Sequence, residues 1–349
     1  MTRSLELARP DDWHLHLRDG AALRDAVGWS AQAFGRAVVM PNLVPPVTTV
    51  DAAEAYRARI LAARTPGSSF EPLMTLYLTD RTTPDEIARA RSSGVVVAAK
   101  LYPAGATTNS EAGVTDLERI VPALEAMQTL GMPLLVHGEV TSPDVDVFDR
   151  EAVFLDRVLA PLVERLPRLK VVLEHVTTAE GVDFVRSARE GVAATVTPQH
   201  VLLNRNDLLV GGVRPHHYCL PVLKRERHRQ AVLEAATSGD PRFFLGTDSA
   251  PHPRGAKHAA CGCAGCFSAP VALPLYAEAF DGVGALDRLE GFASQFGADF
   301  YGLPRPTARV VLVEAEAPVP DEVPFGDDVV VPLRAGGTVS WRVDLPSGE

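Results

Sequence analysis

Lysine is scarce in this chain. Only four of its 34 basic residues are lysine, Lys100, Lys170, Lys224 and Lys257. Arginine is the default cation, so each lysine marks a candidate for chemistry that arginine cannot perform. Cysteine is equally rare: Cys219, Cys261, Cys263 and Cys266 are alone in 349 residues, which makes a disulfide framework implausible. Positive charge is outweighed, with 44 acidic residues against 34 basic ones and a net charge of −10. That argues against nucleic acid as the main partner, because phosphate binding needs a concentrated basic face. No apolar run approaches the ~18 residues of a membrane span. The opening MTRSLELARPDDW lacks the apolar stretch and cleavage site of a signal peptide. A cytoplasmic protein acting on a small molecule is expected, with no membrane or nucleic-acid partner and a homodimeric assembly.

Apolar material is ample, at 46% of residues. It falls into short runs separated by longer amphipathic stretches. Candidate strands are Leu5–Leu7 leading into Trp13–Leu17, then Ala37–Met40, Leu73–Leu78, Val95–Lys100, Pro133–His137, Lys170–His175, Ala193–Thr197 and Phe243–Gly246. Between them, Asp51–Ala63, Pro84–Arg91, Asp116–Leu130, Arg150–Val163, Ala179–Arg189 and Arg225–Ala236 carry helical periodicity. Thr83 is placed to cap a helix that opens on Pro84. Apolar strands alternating with helices imply a parallel sheet covered on both faces. Eight of them suggest a closed (β/α)8 TIM barrel. An open dinucleotide-binding sheet should show a Gly-rich turn after its first strand, and this one ends in WHLHLRDG. The expected division is a barrel over residues 1–303 and a short β-rich C-terminal extension over 304–349.

Unusual polar residues sit where these strands end. His14 and His16 close the first, Asn42 follows the second, Lys100 ends VVVAAK, His137 ends PLLVH, His175 ends KVVLEH and Asp248 lies in FFLGTDS. A barrel gathers the C-terminal ends of its strands on one face, where active sites are built. A single strand-end histidine is more often structural than a ligand, but so many equivalent positions point to a metal centre. Residues two apart share one side of a strand, so both imidazoles of His14-x-His16 can face one ion, and imidazole with carboxylate suits zinc. Lys100 follows an apolar run where an ammonium is expensive to bury. Neutral, it can take up CO2 as a carbamate that bridges two metals. The plainer reading is a lysine snorkelling to the barrel rim.

HLHLRDG, VVMPNLVPP, KLYPAGATTNS, LLVHGEV, LEHVTT, VTPQHVLLNRND, GTDSAPH and the CGCAGCF loop together resemble the dihydroorotases of the amidohydrolase superfamily, most closely the shorter bacterial type. The resemblance runs from about Leu7 to Tyr301. It implies a binuclear zinc centre: His14, His16 and Asp248 on one ion, His137 and His175 on the other, and carboxylated Lys100 (N6-carboxylysine) bridging both. It further implies substrate contacts from His16, Arg18, Asn42, Thr107, Thr108, His137, Leu220, His252 and Ala264, with Asp248 as the catalytic proton shuttle. The implied reaction is the reversible cyclisation of N-carbamoyl-L-aspartate to L-dihydroorotate and water, a step of pyrimidine biosynthesis.

Competing readings are a dihydropyrimidinase or allantoinase, whose substrates lack the ring carboxylate that Arg18, Asn42 and His252 would serve, and a non-catalytic scaffold, which should have lost ligands. Cys261-x-Cys263-x-x-Cys266 with Cys219 could instead form a structural zinc site; free thiols in a tight loop are the preferred reading. Residues Thr107–Gly113, small and polar between Gly105 and Gly113, are expected to form a lid.

Overall fold

The computed structural model describes residues 3–344; residues 345–349, the end of the expected extension, lie outside them. Its centre is an eight-stranded parallel sheet. The strands run in chain order: β2 (Asp11–Leu15), β3 (Arg36–Val39), β4 (Glu71–Tyr77), β5 (Val96–Leu101), β6 (Leu134–Val136), β7 (Val171–Leu173), β8 (Val192–Val196) and β9 (Phe243–Leu245). A parallel bridge between Leu15 and Ser249 brings the last strand back to the first. There Asp248 N–H donates to the His14 carbonyl at 2.9 Å and His16 N–H to the Ser249 carbonyl at 3.1 Å. The architecture is the expected TIM barrel.

Side-chain alternation then builds the barrel from the inside. Trp13, Val38, Ala98, Leu135, Val172, Ala193 and Phe244 pack together within one buried apolar cluster. Two residues further along, on the same side of each strand, stand Lys100, His137, Glu174, Thr195 and Gly246. The polar layer therefore lies directly on the apolar one, toward the C-terminal mouth. Gly246 is required in it, because a Cβ there would lie 2.7 Å from Thr195 Cβ and 3.1 Å from His14 Cβ. Two departures from alternation add further side chains. A register shift in β2 between Asp12 and Leu15 lets His14 and His16 face inward although Trp13 does too. His175 has φ +43°, a left-handed conformation rare outside glycine, which turns it inward beside Glu174.

The surrounding helices start where their caps place them. Thr49, Thr83, Asp116 and Thr178 each accept a backbone N–H at the head of the helices Val50–Ala63, Pro84–Ser92, Leu117–Leu130 and Ala179–Ser187. One part of the strand reading needs correcting. Leu5–Leu7 does not lead into the barrel; it lies in β1 (Ser4–Ala8), which pairs antiparallel with β10 (Arg309–Pro318), itself paired with β13 (Thr338–Asp344). Pro10, which has no N–H to give a ladder, separates the two runs. The C-terminal strands thus recruit the N-terminal one, burying Leu312 and Trp341. A short hairpin, β11 (Val323–Phe325) and β12 (Asp328–Val330), completes this part. No helix among the described residues is long and apolar enough to cross a membrane.

Candidate active site

At the mouth of the barrel, His14, His16 and Asp248 converge. The two Nε2 atoms are 3.3 Å apart, and Asp248 Oδ1 lies 3.4 Å from the first and 3.2 Å from the second. Each imidazole is oriented from its other nitrogen. His14 Nδ1 contacts Glu174, and His16 Nδ1–H donates to Asn42 Oδ1 at 2.8 Å. Both Nε2 lone pairs consequently face each other and a carboxylate, an arrangement that repels itself unless a cation lies between. Zinc at ~2.0–2.1 Å from tetrahedral ligands sets those ligands ~3.3 Å apart, the spacing found here. Among the described residues these three are the group of His, Cys, Asp or Glu placed to hold an ion.

Electrostatics agree with the donor set. Burial lowers His16 to about 4 and holds His137 and His175 below the ordinary imidazole value, leaving them in the neutral form that ligates metals. Burial alone would raise the Asp248 carboxyl, but His14 and His16 outweigh it and bring the group down to about 2. Glu174 behaves alike: burial raises it, while His14 and Lys100 pull it lower overall.

Beside this cluster the ring centroids of His137 and His175 are 4.8 Å apart, and His175 is 5.1 Å from His14. His137 Nε2 meets Glu139 at 2.8 Å, whereas His175 Nδ1 is buried without a partner. Lys100 is fully buried and its Nζ also has no hydrogen-bond partner; the ring of Tyr102 lies 5.2 Å away. Burial pushes the amine down to about 8. An unpartnered nitrogen in such a place fits a group that is completed by something further.

Of the remaining expected residues, Arg18, Asn42, Thr107, Thr108, Leu220 and Ala264 line one narrow cavity together with His14, His16, His137, His175 and Asp248, whereas His252 lies outside that lining, against Arg18. Arg18, at φ +59°, gives Nε–H to the Pro251 carbonyl at 2.9 Å and has Nη2 2.9 Å from His252 Nε2. That same Nε2 lies 3.0 Å from the Ala264 carbonyl. A guanidinium only donates and a carbonyl only accepts, so Nε2 satisfies one of them at a time. No carboxylate pairs with Arg18 among the described residues. The result is a half-buried guanidinium and a half-buried imidazole side by side, with no carboxylate to pair the charge.

The segment after β5 is folded over this cavity. Thr108 Oγ1 donates to the Ala264 carbonyl at 3.3 Å, Asn42 Nδ2 to the Thr108 carbonyl at 3.0 Å and Asn109 Nδ2 to the Asn42 carbonyl at 3.1 Å. Asn42 thus has both ends of its amide engaged, on His16 and on this segment. Four site participants were not legible as such: Glu174, Asp12, Glu139 and Tyr102. Asp12 accepts from Thr247 N–H at 2.8 Å, Thr247 Oγ1 at 2.5 Å and His14 N–H at 3.1 Å, tying β2 to the segment that follows β9. Their only sequence signal is a carboxylate or phenol one or two residues from a metal-type residue, as in LEH and KLY. All four cysteines are free, with Cys219 and Cys266 buried and Cys261 exposed.

A barrel with a buried His-His-Asp cluster able to hold a metal ion at its mouth has the form of a hydrolase site, and the amidohydrolase family matches residues 12–310; the chain belongs to that family. A dihydroorotase of Alkalilimnicola ehrlichii is 66% identical over 339 residues, 97% of this chain and 99% of that protein. The crystal structure of dihydroorotase from Campylobacter jejuni matches with a TM-score of 0.91 at 37% identity, over 99% of this chain and 98% of that one. That of Saccharomyces cerevisiae dihydroorotase in complex with 5-fluoroorotic acid matches with 0.90 at 34% identity, over 98% of both chains. Within the family, this chain groups with the dihydroorotases, the cyclic amidohydrolases of pyrimidine biosynthesis.

Proposed function

We propose that the protein interconverts N-carbamoyl-L-aspartate and L-dihydroorotate at a binuclear zinc centre bridged by carboxylated Lys100. The observation that carries this reading is the unpaired Arg18, with His252 beside it, in the same cavity as the His14–His16–Asp248 cluster. One end of the cavity is suited to a carboxylate and the other to an amide carbonyl. Bound there, zinc ions would lower the pKa of water and polarise that carbonyl. His14, His16 and Asp248 would hold one ion, His137 and His175 the other. Lys100, with Nζ buried and unpartnered, has room in its hydrogen bonding for a carbamate, an anion that offers oxygens to both. Asp248 is the proton carrier: its carboxylate accepts the proton released as water attacks and returns it to the ring nitrogen that leaves. In the other direction the same oxygen takes the ureido proton. Arg18 presents a planar fork to the second carboxylate of the substrate, while Leu220 and Ala264 bring backbone to it.

A cyclic amidohydrolase acting on rings without a carboxylate would leave the half-buried Arg18 with no carboxylate to pair its charge. Hydrolysis of dihydroorotate and of dihydrouracil by the purified protein, with zinc and bicarbonate supplied, separates the readings. Dihydroorotate should be turned over with a strong preference, and the active protein should hold close to two zinc ions per chain. Equal use of both rings would remove the carboxylate assignment, and no turnover with no bound metal would remove the function. In Lys100→Arg, which cannot form a carbamate, activity should vanish; full activity would refute the bridge.

A further inference from the structure

The helix Arg254–His258 carries Lys257, another of the four lysines. Lys257 is 3% exposed, and no carboxylate pairs with it among the described residues. Its Nζ donates to three backbone carbonyls instead: Cys263 at 2.7 Å, Tyr218 at 2.8 Å and Gly265 at 2.8 Å. Three N–H bonds in a tetrahedral array match three carbonyls converging on one point. A planar guanidinium cannot make that set from a single nitrogen, which accounts for a lysine here in an arginine-rich chain.

The carbonyls it gathers belong to both walls of the cavity that Arg18 lines. Cys263 and Gly265 flank Ala264. With their carbonyls turned to Lys257, the Ala264 carbonyl is turned the other way, toward His252 Nε2 at 3.0 Å and Thr108 Oγ1 at 3.3 Å. Tyr218 stands two residues before Leu220, and its carbonyl also accepts Gly265 N–H at 3.0 Å. The approach is too close for anything but glycine at 265, whose φ is +150° and where a Cβ would lie 2.5 Å from the Ala250 carbonyl oxygen and 3.0 Å from His252 Cδ2. One ammonium thus sets the position of Leu220, Ala264 and, through Ala264, His252 and the folded-over segment.

We propose that Lys257 is a positioning residue for substrate binding, which locks the Tyr218–Leu220 and Cys263–Gly265 segments into the wall that receives the substrate carboxylate, without touching the substrate itself. The inference rests on the dihydroorotase reading of this cavity. Its test is steady-state kinetics of dihydroorotate hydrolysis in Lys257→Met and Lys257→Arg, with zinc content and melting temperature measured alongside. In Lys257→Met, KM should rise about 10-fold or more and competitive inhibition by orotate should weaken in parallel, while kcat stays within about threefold and both zinc ions are retained. Lys257→Arg keeps the charge but not the three-way geometry, so its KM should remain raised. An unchanged KM in active Lys257→Met, or full rescue by arginine, would overturn the proposal while leaving the function standing. Parallel loss of kcat, zinc and melting temperature, or failure of both variants to fold, would show a structural role only and overturn it as well. Absence of turnover in the unmodified protein would instead overturn the functional reading.

Discussion

Asp248 sits at φ +45°, a backbone conformation that aspartate and asparagine tolerate better than other residues with a side chain. Asp248→Asn therefore tests the carboxylate without changing the backbone demand or the side-chain volume. It removes the negative charge that His14 and His16 stabilise and leaves an amide that cannot carry the proton. The expectation is a kcat lowered by at least ~10²-fold, the lower end for general acid–base catalysis, with the melting temperature little changed. Near-normal kcat would show that the proton travels another way. Residues of this kind were legible in the sequence because metal-type side chains are rare at the ends of apolar strands. Glu174 was not: it lies beside His175 in LEH, where strict alternation assigns the two to opposite faces. Only the left-handed φ of His175 puts both inside, and a single left-handed residue leaves no mark on composition or period. Asp12 was hidden by the opposite circumstance, since acidic residues before a strand are ordinary at a surface, and this one is buried with three donors.

Among the elements, amphipathic helices were readable and wholly buried ones were not. Leu117–Leu130 shows one apolar face, with Ile120, Val121, Leu124 and Met127 buried. Ala272–Asp281 has Ala272, Leu273, Pro274, Leu275, Tyr276 and Ala277 buried in succession, which erases the period that marks a helix against a core. The β2 register shift was likewise beyond a pattern that counts every second residue. For the segment after β5, small polar residues led to the expectation of a lid composed for movement. The structure shows it in a folded-over position, held by Asn42, Asn109 and the Thr108–Ala264 contact. The segment is also braced from within, by Ser110 bonded to Thr107 and by Tyr77 Oη–H on the Asn109 carbonyl, so if it opens for substrate and excludes water when shut it moves as a folded unit, carrying Thr107 and Thr108 of the cavity lining with it. Replacing both threonines by valine keeps their shape and removes their hydroxyls. The double variant should lose kcat by roughly 10-fold or more, somewhat less than the loss of a donor to developing charge in other enzymes. Its zinc content and melting temperature should match the parent. Kinetics equal to the parent protein would make the segment a bystander.

For the molecule as a whole, the consequence of building a site from strand ends is that folding and the proposed metal binding would be coupled. His14 comes from β2, Lys100 from β5, and His137, His175 and Asp248 follow β6, β7 and β9. An unfolded chain cannot present them together, so an ion that binds the folded barrel alone adds stability by mass action, about 2.7 kcal/mol at a concentration 100-fold above its Kd. The barrel is expected to persist without that term, at some cost from the ion-free His14–His16–Asp248 cluster. His14, His16 and His137 each have a protein partner, in Glu174, Asn42 and Glu139, and Asp12 joins the first strand to Thr247 beyond the last. The apolar layer beneath, from Trp13 to Phe244, is likewise complete without an ion. Removing metal with a chelator should therefore abolish activity, leave the circular dichroism spectrum unchanged and lower the melting temperature. Each kcal/mol moves a 150–250-residue protein by about 2–4 °C, and a longer chain by less, so a fall of roughly 5 °C is expected. Adding zinc back should restore both activity and melting temperature. In Lys100→Ala the chelator-induced fall should shrink, because one of the two proposed ions has lost its bridge. A melting temperature indifferent to chelation and to zinc, in protein shown to have bound zinc beforehand, would mean that these side chains do not hold the ion.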